Sequence, residues 1–333
     1  MKKVLLIATG GTIASVKTET GLSPKTPPDE FLKYIPEVKD IAEIDVLQVL
    51  NIDSTNIEPY HWLMIKNVIE ENYDDYDGFV VTHGTDTLAY TASALSYLIQ
   101  DIDKVVAITG SQKPIVDSIT DGKKNLIDAI RLSIREQLYG IYVVFDGKAI
   151  LGTRAKKIRS KSYSAFDSIN YPVAAFIDGT RVLQYVDGYK SNFEKRFYGE
   201  LNSKVFLLKL VPGLEPEILD YIGDKYDGII IESYGVGGLP FNDSRNFKEA
   251  LRRLTEKGKI VVIATQVMLE GSDAATYEVG FDIMNKYNVL QAYDMTVESA
   301  VVKLMWILGI TKDFEKVKEL FYKTINKDII FEN

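Results

Sequence analysis

No cysteine occurs among the 333 residues. That absence excludes disulfides, thiolate nucleophiles, zinc–sulfur centres and iron–sulfur clusters together. Histidine is nearly as scarce, with His61 and His83 the only two. One of them could serve a Ser-His-Asp triad, but a multi-histidine metal site has almost no material to draw on. Long apolar runs are missing too. None approaches the ~18 residues of a membrane span, and the N-terminal run Val4–Ala8 falls short of the ~7 residues of a signal-peptide core. Positive charge is in deficit: 39 Lys and Arg against 47 Asp and Glu leave a net charge of −8. A surface that acidic repels phosphate backbones on average. The expectation is a cytoplasmic protein with no membrane and no nucleic-acid partner, whose nucleophilic chemistry rests on hydroxyls, carboxylates and lysine.

What is present suits a folded protein of about two domains. Apolar residues make up 46% and charged residues 26%, ordinary values for a globular chain. Short Val/Ile-rich runs recur at Val4–Ala8, Ile44–Leu50, Gly78–Val81, Val105–Ile108 and Ile141–Phe145, each followed by a polar or glycine turn. Apolar residues at helical spacing lie between them over Trp62–Glu71, Thr87–Leu98 and Asn125–Leu138. Strands alternating with helices imply βαβ crossovers and a parallel sheet covered on both faces. After about Gln184 the pattern lapses. It resumes with strands at Val205–Leu210, Gly228–Ile231 and Ile260–Ala264, and helices at Lys248–Lys257, Ala275–Lys286, Val297–Leu308 and Phe314–Tyr322. The fold class predicted is α/β: a larger N-terminal domain with a mainly parallel sheet (1–185), a linker (186–203) and a smaller C-terminal α/β domain (204–333).

Ligands of open parallel sheets bind beyond the carboxyl ends of the strands. Four loops there present Thr12, Ser54 with Thr55, Thr85 with Asp86, and Ser111, and Gly10, Gly11 and Gly84 let backbone N–H groups approach a ligand closely. Taken singly, Thr55, Thr85 and Ser111 read as helix caps, and Asp86 as a partner of a helix dipole. Four such loops on one edge exceed what capping requires. Thr9-Gly10-Gly11-Thr12-Ile13 lacks the Gly-Lys-Ser/Thr of a phosphate loop and the glycine spacing of a dinucleotide fingerprint, which removes NTPases and dehydrogenases. A hydroxyl nucleophile needs a base. His83 reads first as a packed strand-end residue holding a loop. The basic run Leu151–Arg159 offers a lysine that, turned inward near Asp86 and a threonine, can move a proton.

These residues resemble the L-asparaginase family. Thr9-Gly10-Gly11-Thr12-Ile13-Ala14-Ser15 is similar to its first signature, and Thr82-His83-Gly84-Thr85-Asp86-Thr87 to its second. The likeness extends through Asp53-Ser54-Thr55, Thr109-Gly110-Ser111, Arg154 to Ser160, the glycine loop Tyr234–Pro240, and Met295 through Trp306. In its details the chain is most similar to the cytoplasmic type I branch, especially its archaeal-like members. The resemblance implies a two-domain fold and hydrolysis of L-asparagine to L-aspartate and ammonia, with no cofactor and no metal. It implies Thr12 as nucleophile on the side-chain amide, and Thr85, Asp86 and Lys157 as a second group in which Lys157 accepts a proton and polarises Thr85. Which threonine attacks first stays open. Ser54, flanked by Asp53 and Thr55, would hold the substrate's α-carboxylate, and Asp86 its α-ammonium. A zwitterion calls for such a pocket, with hydroxyl and backbone donors at one end and a carboxylate at the other.

The resemblance departs at two places. Many members carry a tyrosine in the lid segment Lys17 to Pro27, where this chain has Leu22, and many have asparagine where it has Gly238. The family places its site at a subunit interface, so a homodimer or homotetramer is implied. Two alternatives accompany the asparaginase reading. One is the ammonia-generating subunit of a tRNA-dependent amidotransferase, which carries an extra N-terminal domain for which a first motif at Thr9 leaves no room. The other is a non-catalytic amino-acid-binding protein, which has no need of a threonine–lysine relay.

Overall fold

Strand β1 (Lys3–Gly10) is buried from Val4 to Gly10, and a strand buried on both faces belongs in the middle of a covered parallel sheet. The computed structural model places it there. The structure describes all residues except 19–20, 25, 28–29, 189, 243–244, 275–285 and 331–333, and the backbone alone for 17–18 and 22–24. The chain divides into two units, Met1–Gly199 and Glu200–Asn333.

In the first unit β1 leads into a hairpin of β2 (Ser15–Thr18) and β3 (Gly21–Pro24), with Lys17 opposite Leu22. The sheet itself comprises β1, β4 (Glu43–Ile52), β5 (Gly78–Thr82), β6 (Val105–Thr109), β7 (Gly140–Phe145) and β8 (Lys148–Leu151), then β11 (Ala175–Asp178) and β12 (Arg181–Gln184). Its spatial order is β12-β11-β8-β7-β6-β5-β1-β4. The five strands from β7 to β4 run parallel, and β5, β6 and β7 are buried along their whole length. Beside the sheet, β9 (Ala155–Lys157) pairs antiparallel with β10 (Phe166–Ser168). Among the described residues the longer helices of this unit are α1 (Pro59–Glu71), α2 (Leu88–Leu98) and α3 (Gly122–Ser133). From β1 the chain moves to β4 on one side, then returns to β5 on the other. That reversal opens a crevice between the carboxyl ends of β1 and β5, the place where such sheets bind ligands.

The structure departs from the sequence-based expectation in instructive ways. β8, β11 and β12 extend the sheet antiparallel; each spans only four residues, too short a run for a clear alternation to stand out. The third helix ends at Ser133 rather than Leu138. The Ser133 hydroxyl donates back to the Ile130 carbonyl (2.8 Å) and Gln137 has φ 73°, a left-handed conformation no α-helix continues through. Residues 186–203, expected as a linker, are bonded to the first unit over part of their length. Arg196 and Phe197 pair with Gln100 and Ile99, and the Ser191 hydroxyl and Arg196 guanidinium both donate to Asp101.

The second unit has four parallel strands in sequential order, β13 (Val205–Lys209), β14 (Gly228–Ser233), β15 (Ile260–Thr265) and β16 (Val289–Gln291). Helices α4 (Phe247–Glu256), α5 (Val297–Ile310) and α6 (Phe314–Tyr322) begin at Asn246, Thr296 and Asp313, whose side chains each accept a backbone N–H from the first turn. Ile229, Ile231, Phe247, Leu251 and Ile263 form its core. The expected helix Ala275–Lys286 lies almost wholly outside the described residues. Within the unit a fully buried ion pair joins Lys303 of α5 to Asp328, at 2.6 Å. Lys303 also donates to the Lys323 carbonyl (2.8 Å), and Asp328 accepts the Ile325 N–H (2.9 Å), so both charges are met by further hydrogen bonds. Among the described residues no helix is long and apolar enough to cross a membrane.

Candidate active site

Glycines bring the loops of the crevice together. Gly10 and Gly11 have φ of 99° and 77°, conformations that cost an L side chain about 1–2 kcal/mol. A Cβ on Gly11 would stand 2.4 Å from the Gly84 amide nitrogen, and one on Gly84 would stand 2.6 Å from the Ser54 hydroxyl oxygen. The loops after β1 and β5 therefore meet backbone against backbone, the loop after β4 sets its Ser54 side chain against Gly84, and Thr12 is the residue immediately beyond Gly11. The Thr87 hydroxyl donates to the Ser54 carbonyl (2.8 Å), tying the second and third loops again.

The sequence-selected residues divide by what their side chains do. Asp53 Oδ1 accepts both the Thr55 N–H (2.8 Å) and the Thr55 hydroxyl (2.7 Å), so these two form a local cap around Ser54. Ser54 itself is buried. Thr12 is half-buried, and the Ser54 backbone carbonyl is taken by the Thr87 hydroxyl. Ser111 is spent locally, its hydroxyl donating to the Lys113 carbonyl.

Thr85, Asp86 and Lys157 come together. Lys157 Nζ, at the end of β9, lies 2.8 Å from Thr85 Oγ1 and 2.6 Å from Asp86 Oδ1. The lysine side chain is 19% exposed and the aspartate 59%, so the ammonium sits inward with its carboxylate partner on the open side. Gln112, which follows Ser111, was not among the residues singled out from sequence. Its Oε1 accepts from Thr85 Oγ1 (3.2 Å) and its Nε2 donates to the Ser162 carbonyl (3.1 Å). Its backbone is held by buried Asp121, whose carboxylate accepts the N–H of Gln112 (2.9 Å) and of Lys113 (3.1 Å). Burial pushes the Asp121 carboxyl above its usual range, and these N–H groups pull against that shift.

His83 is structural. Its Nδ1 lies 2.7 Å from the Gly84 carbonyl and its Nε2 2.9 Å from Thr91 Oγ1, which in turn receives the Trp62 indole N–H at 3.0 Å. A carbonyl only accepts, so Nδ1 carries the proton and Nε2 accepts from Thr91. Complete burial lowers its pKa to about 4, so the imidazole is neutral near pH 7. It anchors the Gly84 carbonyl from behind the site through α2 and α1. Among the described residues no group of three or more His, Asp or Glu side chains could hold a metal ion.

Two family models match this sequence: the N-terminal asparaginase domain over residues 3–190, and the glutaminase/asparaginase C-terminal domain over 204–321. An L-asparaginase from Thermococcus kodakarensis is 42% identical over 98% of this chain and 99% of its own. The solved structure of the thermostable enzyme from that organism superposes with a TM-score of 0.94 at 41% identity, covering 99% of this chain and 100% of the other. L-asparaginase I from Vibrio cholerae gives 0.89 at 28% identity, with 99% of both chains covered. A glutamyl-tRNA(Gln) amidotransferase subunit from Pyrococcus horikoshii is less similar, 35% identical over 95% of this chain and 74% of its own length. Fold and matched domains define an amidohydrolase of two α/β domains, the larger built on a mainly parallel sheet. More particularly, the chain belongs to the asparaginase family.

Proposed function

We propose that this protein hydrolyses L-asparagine to L-aspartate and ammonia through a threonine nucleophile. The observation that carries the proposal is the contact of Lys157 Nζ with both Thr85 Oγ1 and Asp86 Oδ1, together with the family to which the chain belongs. In this reading Ser54 receives the α-carboxylate beside the Gly84 backbone, with Asp53 and Thr55 holding its loop, and Asp86 receives the α-ammonium. The Thr12 oxygen attacks the side-chain amide carbon, the C–N bond breaks, and ammonia leaves carrying the transferred proton. The resulting β-aspartyl ester is hydrolysed by water, with Thr85 and Lys157 moving the proton. Splitting amide hydrolysis in this way replaces one difficult step by two easier ones. The amidotransferase relatives share the same core, but the greater identity to an L-asparaginase over both full lengths favours hydrolysis.

Assembly into a homodimer or homotetramer and a cytoplasmic location belong to the same proposal. Supporting assembly, the loops after β13, β14 and β15 carry exposed apolar side chains: Val211, Val236, Val267, Met268 and Leu269. Apolar groups gathered on one edge suit burial against a second copy. The test is direct. The protein is incubated separately with asparagine and glutamine, ammonia is quantified, and mass in solution is measured by light scattering. Ammonia from asparagine is expected, along with a Thr12→Ala or Lys157→Met loss of kcat on the order of 10³-fold in folded protein. Near-normal turnover in Thr12→Ala overturns the nucleophile, release from neither amide overturns the reaction, and a monomeric mass overturns the assembly.

A further inference from the structure

Thr85 has a single hydroxyl hydrogen, and the hydrogen-bond network fixes where it points. The Ser162 carbonyl can only accept, so the Gln112 group facing it is the amide nitrogen, at 3.1 Å. The amide oxygen of Gln112 therefore faces Thr85, at 3.2 Å. An amide oxygen also only accepts, so the Thr85 hydrogen is directed to Gln112. Lys157, 2.8 Å from the same hydroxyl oxygen, must then donate to it, as it also does to Asp86. In this arrangement the Thr85 proton is not aimed at Lys157 at all. To reach a lysine lone pair, the hydroxyl must swing away from Gln112, and Lys157 must give up the N–H it directs at Thr85.

We propose that Gln112 is a positioning residue that holds the Thr85 hydroxyl hydrogen off Lys157 and so favours the charged, donating form of that lysine. The inference rests on the reading of Thr85 and Lys157 as the proton-moving pair. A hydrogen bond that suits one protonation state displaces the titration toward that state. Without the Gln112 acceptor the Thr85 hydrogen is free to turn toward Lys157, and the pH profile of the pair reports that change. Its root does not drift, because Asp121 holds the backbone N–H of Gln112 and Lys113 and itself receives Asn125 Nδ2 at 3.3 Å.

Among the described residues, these charged groups lie on the elements packed against Lys157. From the loop after β5, Asp86 faces it, and neighbouring His83 is neutral with both ring nitrogens engaged. From β10, Phe166 stands opposite it in register, while Asp167 is bonded to Lys148 at 2.9 Å. Helix α2 carries no charged side chain. From the loop after β6, Lys113 lies over the Tyr163 ring at 5.8 Å and the Asp121 carboxylate is turned to backbone N–H groups. On its own segment, Lys156 adjoins it in the strand opposite Asp167, and Arg159 donates to the Ser164 carbonyl at 2.8 Å.

The experiment is the pH dependence of kcat/KM for asparagine in Gln112→Met, Gln112→Asn and Lys157→Met. Methionine matches the length of glutamine without an acceptor, and asparagine keeps an amide one methylene short of Thr85. Both Gln112 variants are expected to move the acidic limb to lower pH by about half a unit or more, with KM changed less than about two-fold because no proposed substrate contact is lost. Profiles that superpose on the parent in both variants overturn the inference. Activity that survives in Lys157→Met overturns the reading beneath it, whatever the Gln112 variants show.

Discussion

Gly11 and Gly84 stand backbone against backbone, so close that a methyl group on the first would lie 2.4 Å from the amide nitrogen and 2.5 Å from the Cα of the second. Two signature loops from neighbouring strands are thereby locked at one distance, with Thr12 following one glycine and Thr85 the other. Gly11→Ala must push them apart. It should fold, at a cost of about 1–2 kcal/mol for φ 77°, yet lose about 10²-fold or more in kcat, since a displacement of about 1 Å at a reacting group has that effect. Steady-state kinetics beside a thermal melt separates the two losses. Full activity would mean that the loop spacing is not what aligns the site.

Asp86→Asn tests the proposed ammonium site. A charge-assisted hydrogen bond contributes about 1.5–3 kcal/mol, so KM for asparagine should rise roughly 10- to 100-fold. The substitution also removes the carboxylate from Lys157, so kcat should fall with it. An unaltered KM would take Asp86 out of substrate recognition.

The buried histidine makes a prediction about stability and pH. The pKa of His83 is about 4 in the fold against about 6.5 in an unfolded chain. The unfolded state thus binds the extra proton between those values, and stability falls as the pH drops through them. The contribution is fully present above about pH 6.5. About 2 kcal/mol of it should be gone by pH 5. Denaturant titrations at pH 7.5 and 5 should show that loss in the parent and a much smaller pH dependence in His83→Asn. Equal dependence in the two would place the effect elsewhere.

In the second unit, Lys303→Met leaves Asp328 buried without its ammonium partner. Removing one member of a buried pair costs about 3–5 kcal/mol. The double variant Lys303→Met/Asp328→Asn should recover part of that, since no uncompensated charge remains. Urea unfolding of the parent, single and double variants measures both. A single variant as stable as the parent would show that the pair contributes nothing net.

How much of this was legible in the sequence follows from what each residue interacts with. Helix α6 was predicted with the bounds observed, Phe314–Tyr322, because its signals are local: an Asp313 cap and apolar residues at helical spacing. The central strands were legible as continuous apolar runs, and the site loops because hydroxyls and glycines follow those strands directly. The antiparallel strands β11 and β12 were not, since four-residue runs are too short for their alternation to show. Apart from the family resemblance, nothing in the sequence separated Ser54 from Thr55. The two hydroxyls are adjacent, but one is taken up by Asp53 and the other is not, a distinction only geometry makes. Gln112 escaped for a related reason. It stood beside Ser111 in a recognised loop, but its link to Thr85 depends on which way an amide is turned, and that is settled by Ser162, 50 positions along the chain.

The two tryptophans, Trp62 and Trp306, lie one in each unit, the first hydrogen-bonded to Thr91 and the second buried in α5. Each unit therefore contains its own fluorophore. Replacing either indole by phenylalanine leaves an optical signal that belongs to one half of the chain alone. The order in which the halves melt, and whether ligand capture stiffens the half carrying Thr85, can then be read from emission without any added label.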